Sequence, residues 1–272
     1  MGKNNYIEKG ICIWCMKKEP EVTFSIEPHT ISRQLGATMI GFDICDSCNH
    51  YFGTVDRNMK FPMSVELAFK EIMNLMRILL KGLDENTYKK LKSTYFSYFH
   101  STKTIRINKN FKSNPNFLNS LTRQFKKGMY EVFLQEYHRE TKKGHDIRFN
   151  YLRNYVRYDK GELPLYFLEN NGVYLVGENI DDLSFKFPEK VLSDIDDFGF
   201  YTMMIYGNIF FLEVTPRAEL SREIFLTKHS RELIGSGFIF KQLRELKSIT
   251  DIDFTLRKLY GQSPINNNNY KI

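Results

Sequence analysis

The sequence predicts an α+β protein: a treble-clef-like β-β-α unit stapled by metal, then a central helical region, then a mixed α/β part with antiparallel hairpins. Three observations carry this expectation. All four cysteines fall within the first fifty residues, in two close pairs. The middle of the chain carries apolar residues at helical spacing, and its C-terminal third carries β-branched and aromatic runs broken by Asn-Gly and Gly-Asn turns. The expected boundaries are 1–60 for the metal-bound unit, 61–160 for the basic helical region, 161–262 for the mixed part and 263–272 for a polar tail.

The first element is the firmest. Cys12, Cys15, Cys45 and Cys48 read C-x2-C, a gap of 29 residues, and C-x2-C again. In a reducing compartment such pairs are metal ligands rather than disulfides. Each places two thiolates on one side of a tight knuckle, and two knuckles make a tetrahedral four-sulfur site for structural Zn²⁺. Four sulfurs close the coordination sphere, so this zinc would hold the segment together and activate no water.

Between the knuckles, Thr23–Ile26 and Thr38–Ile44 read as two short strands. From Asp46 to about Asp56 a helix is expected, with Asp46 as its N-cap. In this setting Glu27-Pro28-His29-Thr30-Ile31-Ser32, leading to Leu35-Gly36, and Cys45-Asp46-Ser47-Cys48-Asn49, leading to Gly53, resemble the HNH endonuclease family. The likeness is to the branch in which two C-x2-C pairs bracket a ββα-metal hairpin. It covers roughly residues 10–56, about a fifth of the chain. The resemblance implies that His29 is the general base and that Asn49 binds a catalytic divalent cation, Mg²⁺ or Mn²⁺. Neutral imidazole suits proton abstraction near neutral pH, and a hard cation with oxygen ligands offsets charge growing on a phosphodiester.

One position departs from the pattern. The family carries an acidic metal ligand directly before the base, and here Pro28 stands there, with Glu27 one residue earlier. The His-to-Gly spacing of seven is kept, which fixes His29 in register. Residues two apart on a strand share a face, so Glu27 and His29 are expected together. Glu27, or Asp56 from the helix, would complete the cation site. His50 reads either as a further metal ligand or as an exposed helical residue, and Arg33 as a phosphate contact or a plain surface group.

Beyond the unit, Met63–Lys81 shows a helical apolar stripe with Pro62 suited to the first position, and Glu85–His100 continues similarly. Asn116–Thr141 reads as a longer amphipathic helix, followed by a helix-like run around Arg148, Arg153 and Arg157. From Leu163 the pattern turns to hairpins, one about Asn170-Asn171-Gly172 and one about Gly207-Asn208. Leu220–Phe225 and Glu232–Phe240 read as a strand or short helices, Lys241–Tyr260 as partly helical, and the tail as disordered. His100, His138, His145 and His229 lack metal-ligand spacing and suit ordinary surface or core roles.

Charge adds a partner. The chain carries a formal net charge of +7, unevenly spread. Residues 57–160 hold 22 Lys and Arg against 9 Asp and Glu, whereas residues 161–197 hold 2 against 9. The basic stretch favours a nucleic acid, DNA rather than RNA, with Lys126, Lys127 and Arg153 as backbone contacts beside Arg33. The N-terminus lacks a secretory pattern and no apolar run has membrane-spanning length, so a cytoplasmic protein with no membrane partner is expected. The sequence therefore predicts a DNA endonuclease, by analogy in a restriction or anti-phage defence system with a protein partner. The alternative is a catalytically silent zinc module that binds nucleic acid or protein.

Overall fold

The structure is a computed structural model, and it describes residues 5–55, 57, 60–81, 93–99, 104–169, 183, 185–240, 242–252 and 269–271. The chain is a mixed α+β protein with six helices and two antiparallel sheets among these residues. Its spine is a helix of 27 residues, Pro115–Thr141, here α3. Asn114 starts it, its side chain accepting the Phe117 N–H, and proline occupies the first turn where no N–H is needed. Lys142, in the left-handed region at φ 61°, ends it.

Other elements surround α3. Helix α1, Asp46–Gly53, belongs to the cysteine unit, and α2, Val65–Lys81, packs along α3. The two long helices approach closely because residue 128 is glycine: a Cβ there would lie 2.7 Å from the Phe69 Cβ. Helix α4, Asn150–Val156, folds back after the C-terminus of α3. A four-stranded sheet in the order β4-β5-β3-β6 comprises β3 (Leu165–Glu169), β4 (Phe200–Ile205), β5 (Asn208–Glu213) and β6 (Gln242–Glu245). One face of that sheet meets α3 through Phe133 against Tyr201 and Phe125 against Phe210. Its other face is covered by α6, Ala218–Gly235, and α5, Glu189–Phe198, runs directly into β4. A second sheet pairs β1 (Phe96–Phe99) with β2 (Thr104–Ile107) and β2 with β7 (Asn269–Lys271). One continuous apolar core runs from Cys12 to Ile252, so the cysteine unit, the helical region and the sheet share it.

Several expectations change. The segments Thr23–Ile26 and Thr38–Ile44 form no strands; a single bridge, His29 to Ile40, joins the two arms. The cysteine knuckles and the packing beneath hold this short hairpin, so a full ladder is not needed. Pro62 precedes α2 without starting it; Ser64 does so by accepting the Leu67 N–H. Phe96–Phe99 is a strand, where helical continuation was expected. The Leu220–Phe225 and Glu232–Phe240 segments belong largely to one helix, α6. Residues Asn269–Lys271 of the expected disordered tail form β7. The hairpin about Gly207 is present, with Tyr206 and Gly207 both at positive φ as a tight antiparallel turn requires. The expected turn at residues 170–172 and its second strand lie outside the described residues.

Candidate functional site

The first knuckle is a tight turn in which the Met16 N–H donates to the Cys12 carbonyl and the Cys12 N–H to the Lys17 carbonyl. The second is the start of α1: Cys45 caps the helix and Cys48 lies in its first turn. All four sulfurs lie within 4.8 Å of one another, and Cys15 Sγ stands 3.7 Å from Cys45 Sγ. A tetrahedral zinc with bonds of about 2.3 Å separates its sulfurs by about 3.8 Å. The residues therefore fit a structural metal such as zinc.

The surroundings complete that fit. The Trp14 and Cys45 N–H groups both donate to Cys12 Sγ at 3.4 Å, and Arg157 Nε donates to Cys48 Sγ at 3.2 Å. These donors and the guanidinium offset the negative charge that four thiolates bring. Hydrogen bonding from Cys12 holds the Cys15 thiol down at about 7, and the same neighbour lowers Cys45. Within the same cluster the neighbouring thiols push Cys12 and Cys48 up. Trp14 lies edge-on to Phe52 of α1 at 4.9 Å, and both are buried, so the cluster has an apolar floor.

From this staple the hairpin is set in place. Asp46 is not the N-cap but the first residue of α1, and its carboxylate reaches across to the hairpin. It accepts the Ser25 and Ile26 N–H groups at 2.9 Å and the Thr23 hydroxyl. The arm leading into Glu27 is thereby tied to the helix that carries Asn49. Five residues after Glu27, Ser32 and Gly36 close a 3-10 turn over Arg33–Leu35; Gly36, at φ 85°, takes a conformation that few other residues tolerate.

Glu27 and His29 do come together. Glu27 Oε1 lies 3.6 Å from His29 Nε2 and 3.4 Å from the Arg33 guanidinium. His29 Nδ1 is buried without a hydrogen-bond partner among the described residues. Asn49 is half-buried one turn into α1, beside the second knuckle. His50 is exposed, its ring in hydrogen-bond reach of the Thr54 hydroxyl, which fits the plain helical reading. Asp56 lies outside the described residues.

The basic contacts need correction. Arg33 is exposed, at 71% for its side chain. Lys126, Lys127 and Arg153 are buried, because α3 is packed on every side and α4 folds against the first knuckle. Lys127 pairs with Asp159, and Lys126 lies 3.7 Å from Glu162. Arg153 donates to the carbonyls of Ile13, Asp146 and Gly144 and to Asn150. These three side chains bind the protein's own backbone and carboxylates, and present nothing to a phosphate.

A second cluster was not visible in the sequence: Asp43, His138 and His145, whose ligand atoms also lie within 4.8 Å. Asp43 precedes the second knuckle, at φ 52°, and its carboxylate accepts the N–H groups of Glu8, Lys9 and Gly10. His138 Nδ1 accepts the Gly144 N–H, so the neutral ring carries its proton on Nε2, 3.2 Å from Asp43. His145 Nε2 lies 2.6 Å from the Ile11 carbonyl oxygen. A metal would need lone pairs that these hydrogen bonds already use. The trio is a structural clasp between the C-terminus of α3 and the knuckles. Burial opposes ionisation of Asp43, but the His138 and backbone donors outweigh it and hold the acid at about 2.

Comparison of the chain with protein-family models, curated proteins and solved structures found no match. No described helix is long and apolar enough to cross a membrane.

Proposed function

We propose that this protein is an HNH-type endonuclease that hydrolyses phosphodiester bonds, in DNA rather than RNA, with His29 as general base. The observation that carries the reading is the Glu27–His29 pair, held by the Asp46 tie against the first turn of the helix bearing Asn49. A silent zinc scaffold would not need an imidazole and a carboxylate side by side on a half-exposed hairpin.

His29 Nδ1 is buried, so Nε2, beside Glu27, is the nitrogen that takes a proton from an attacking water. Glu27 Oε1 lies 3.6 Å from that nitrogen and 3.4 Å from the Arg33 guanidinium, so the carboxylate lies between the base and the phosphate contact. The Asn49 amide oxygen and the second carboxylate oxygen of Glu27 are hard donors suited to Mg²⁺ or Mn²⁺. Such a cation supplies neutralisation of charge on the phosphoryl and leaving oxygens. Arg33, exposed beside Glu27, would hold the flanking phosphate. The zinc would act on rigidity alone, because its ligands are all protein sulfur. A role in restriction or anti-phage defence, with a protein partner, belongs to the same proposal and rests on the family resemblance.

Titrating Mn²⁺ into DNA cleavage reactions of the zinc-loaded protein tests the cation site. Asn49→Ala is expected to shift half-maximal Mn²⁺ upward at least tenfold while zinc content stays the same. An unchanged Mn²⁺ requirement would remove Asn49 from the site.

A further inference from the structure

Helix α6 is apolar on two opposite faces. Its inner face packs on the four-stranded sheet: the Phe225 ring stacks on Phe200 at 4.3 Å and 10°, and Ala218 and Phe225 are fully buried. Its outer face is also apolar, yet it meets water. Leu220 is 90% exposed, Ile224 66% and Ile234 62%.

These residues are not scattered. Leu220, Ile224, Thr227, Arg231 and Ile234 follow one another at intervals of four, three, four and three, the spacing of one seam in a paired helix. The seam from Leu220 to Ile234 is about 21 Å long at 1.5 Å per residue. Single exposed apolar residues are ordinary on a protein surface, whereas Leu220, Ile224 and Ile234 share one line along the helix, with Thr227 and Arg231 between them.

Charges within and beside the seam bear on the occupant and its direction. Glu219 and Glu223 are exposed in its first half, and Lys228 and Arg231 in its second. Several charges of the helix are engaged within the chain: Arg222 with Glu213 of β5, Glu232 with Lys190 of α5, Glu219 with the Tyr151 hydroxyl, and Lys228 over the Phe198 ring. Lys228 also reaches Glu232 at 3.9 Å. A polarity of this sense suits the helix dipole, which accounts for the charges but not for a leucine and two isoleucines in water.

We infer that α6 pairs with α6 of a second copy of this chain, antiparallel, about a twofold axis near Thr227. In that arrangement Leu220 of each copy faces Ile234 of the other, and Glu223 of each lies against Arg231 of the other. A parallel pair would set like charges against like. An isologous interface of this kind closes on itself and leaves no surface for further growth.

The test is sedimentation equilibrium of the zinc-loaded full chain over a wide concentration series. Wild type is expected to move from 32.3 kDa toward twice that mass with rising concentration. Leu220→Glu alters a side chain already in water in the single copy, so its fold should persist by circular dichroism while association weakens at least tenfold. Two charge variants test the orientation. Glu219→Lys with Glu223→Lys makes the seam uniformly basic, and Lys228→Glu with Arg231→Glu makes it uniformly acidic. Each alone should stay a monomer, and an equimolar mixture should form a heterodimer. A wild type that remains at 32.3 kDa throughout would overturn the proposal, as would a dimer indifferent to Leu220→Glu. A mixture no tighter than either variant alone would overturn the antiparallel pairing.

Discussion

Replacing Asp43 by asparagine isolates the clasp beside the cysteine cluster from the cluster itself. The carboxylate is fully buried and accepts from three backbone N–H groups and His138. These donors hold its acidity at about 2, against an ordinary 3.8. At 1.36 kcal/mol per unit the ionised form contributes about 2 kcal/mol to folding. Asparagine keeps the shape but brings an amide N–H₂ toward the His138 Nε2–H, so donor faces donor. The expected loss near neutral pH is therefore about 2 kcal/mol, or a fall in Tm of about 4–8 °C for a chain of this size. The sign with pH follows from a depressed acid: the contribution is complete above the ordinary value near 3.8 and disappears as pH falls through 2. Urea unfolding of both proteins with excess zinc, at matched pH, gives the difference directly. Thiolates also take up protons in acid, so the difference between the two proteins at each pH is the readout. A variant within about 0.5 kcal/mol of wild type near neutral pH would refute the reasoning.

Three further predictions rest on the same geometry. Plasma mass spectrometry should find one zinc per chain, and Cys48→Ser should lose it and melt at a lower temperature; a variant that keeps stoichiometric zinc would contradict the four-sulfur site. Arg153→Ala removes hydrogen bonds to Ile13, Asp146, Gly144 and Asn150. It should cost roughly 3 kcal/mol or more in denaturant titration by leaving buried carbonyls unpaired. Its affinity for DNA, measured by fluorescence anisotropy on folded protein, should stay near wild type. Arg33→Ala should do the reverse, weakening DNA binding several-fold at unchanged stability.

What the sequence made legible depended on how local the governing physics was. The sulfur cluster was readable because two C-x2-C turns are local geometry and their pairing is forced by the metal's need for four ligands. The Glu27–His29 proximity was readable from residue parity alone. Burial of Lys126 and Lys127 was not, because a basic residue on an amphipathic helix ordinarily faces water. A signal was present all the same: Phe125, Met129, Tyr130, Val132, Phe133 and Leu134 cover more of the α3 circumference than one stripe, which marks a helix enclosed on all sides. The strand Phe96–Phe99 was misread because a short aromatic run does not distinguish helix from strand. The Asp43–His138–His145 clasp had no sequence signal, since its partners are joined across 95 residues by the packing of α3 on the knuckles.

The central claim is that His29 is the general base of a phosphodiester hydrolase. Its most direct measurement is cleavage of supercoiled plasmid in Mg²⁺ or Mn²⁺ by wild type and His29→Ala, with zinc content and melting temperature matched. Loss of a general base typically costs about 10²–10⁴ in rate, and a hundredfold or greater fall with zinc still bound is the predicted result. Equal cleavage by the two proteins, or no cleavage by zinc-loaded wild type on any plasmid or single-stranded substrate, would contradict it.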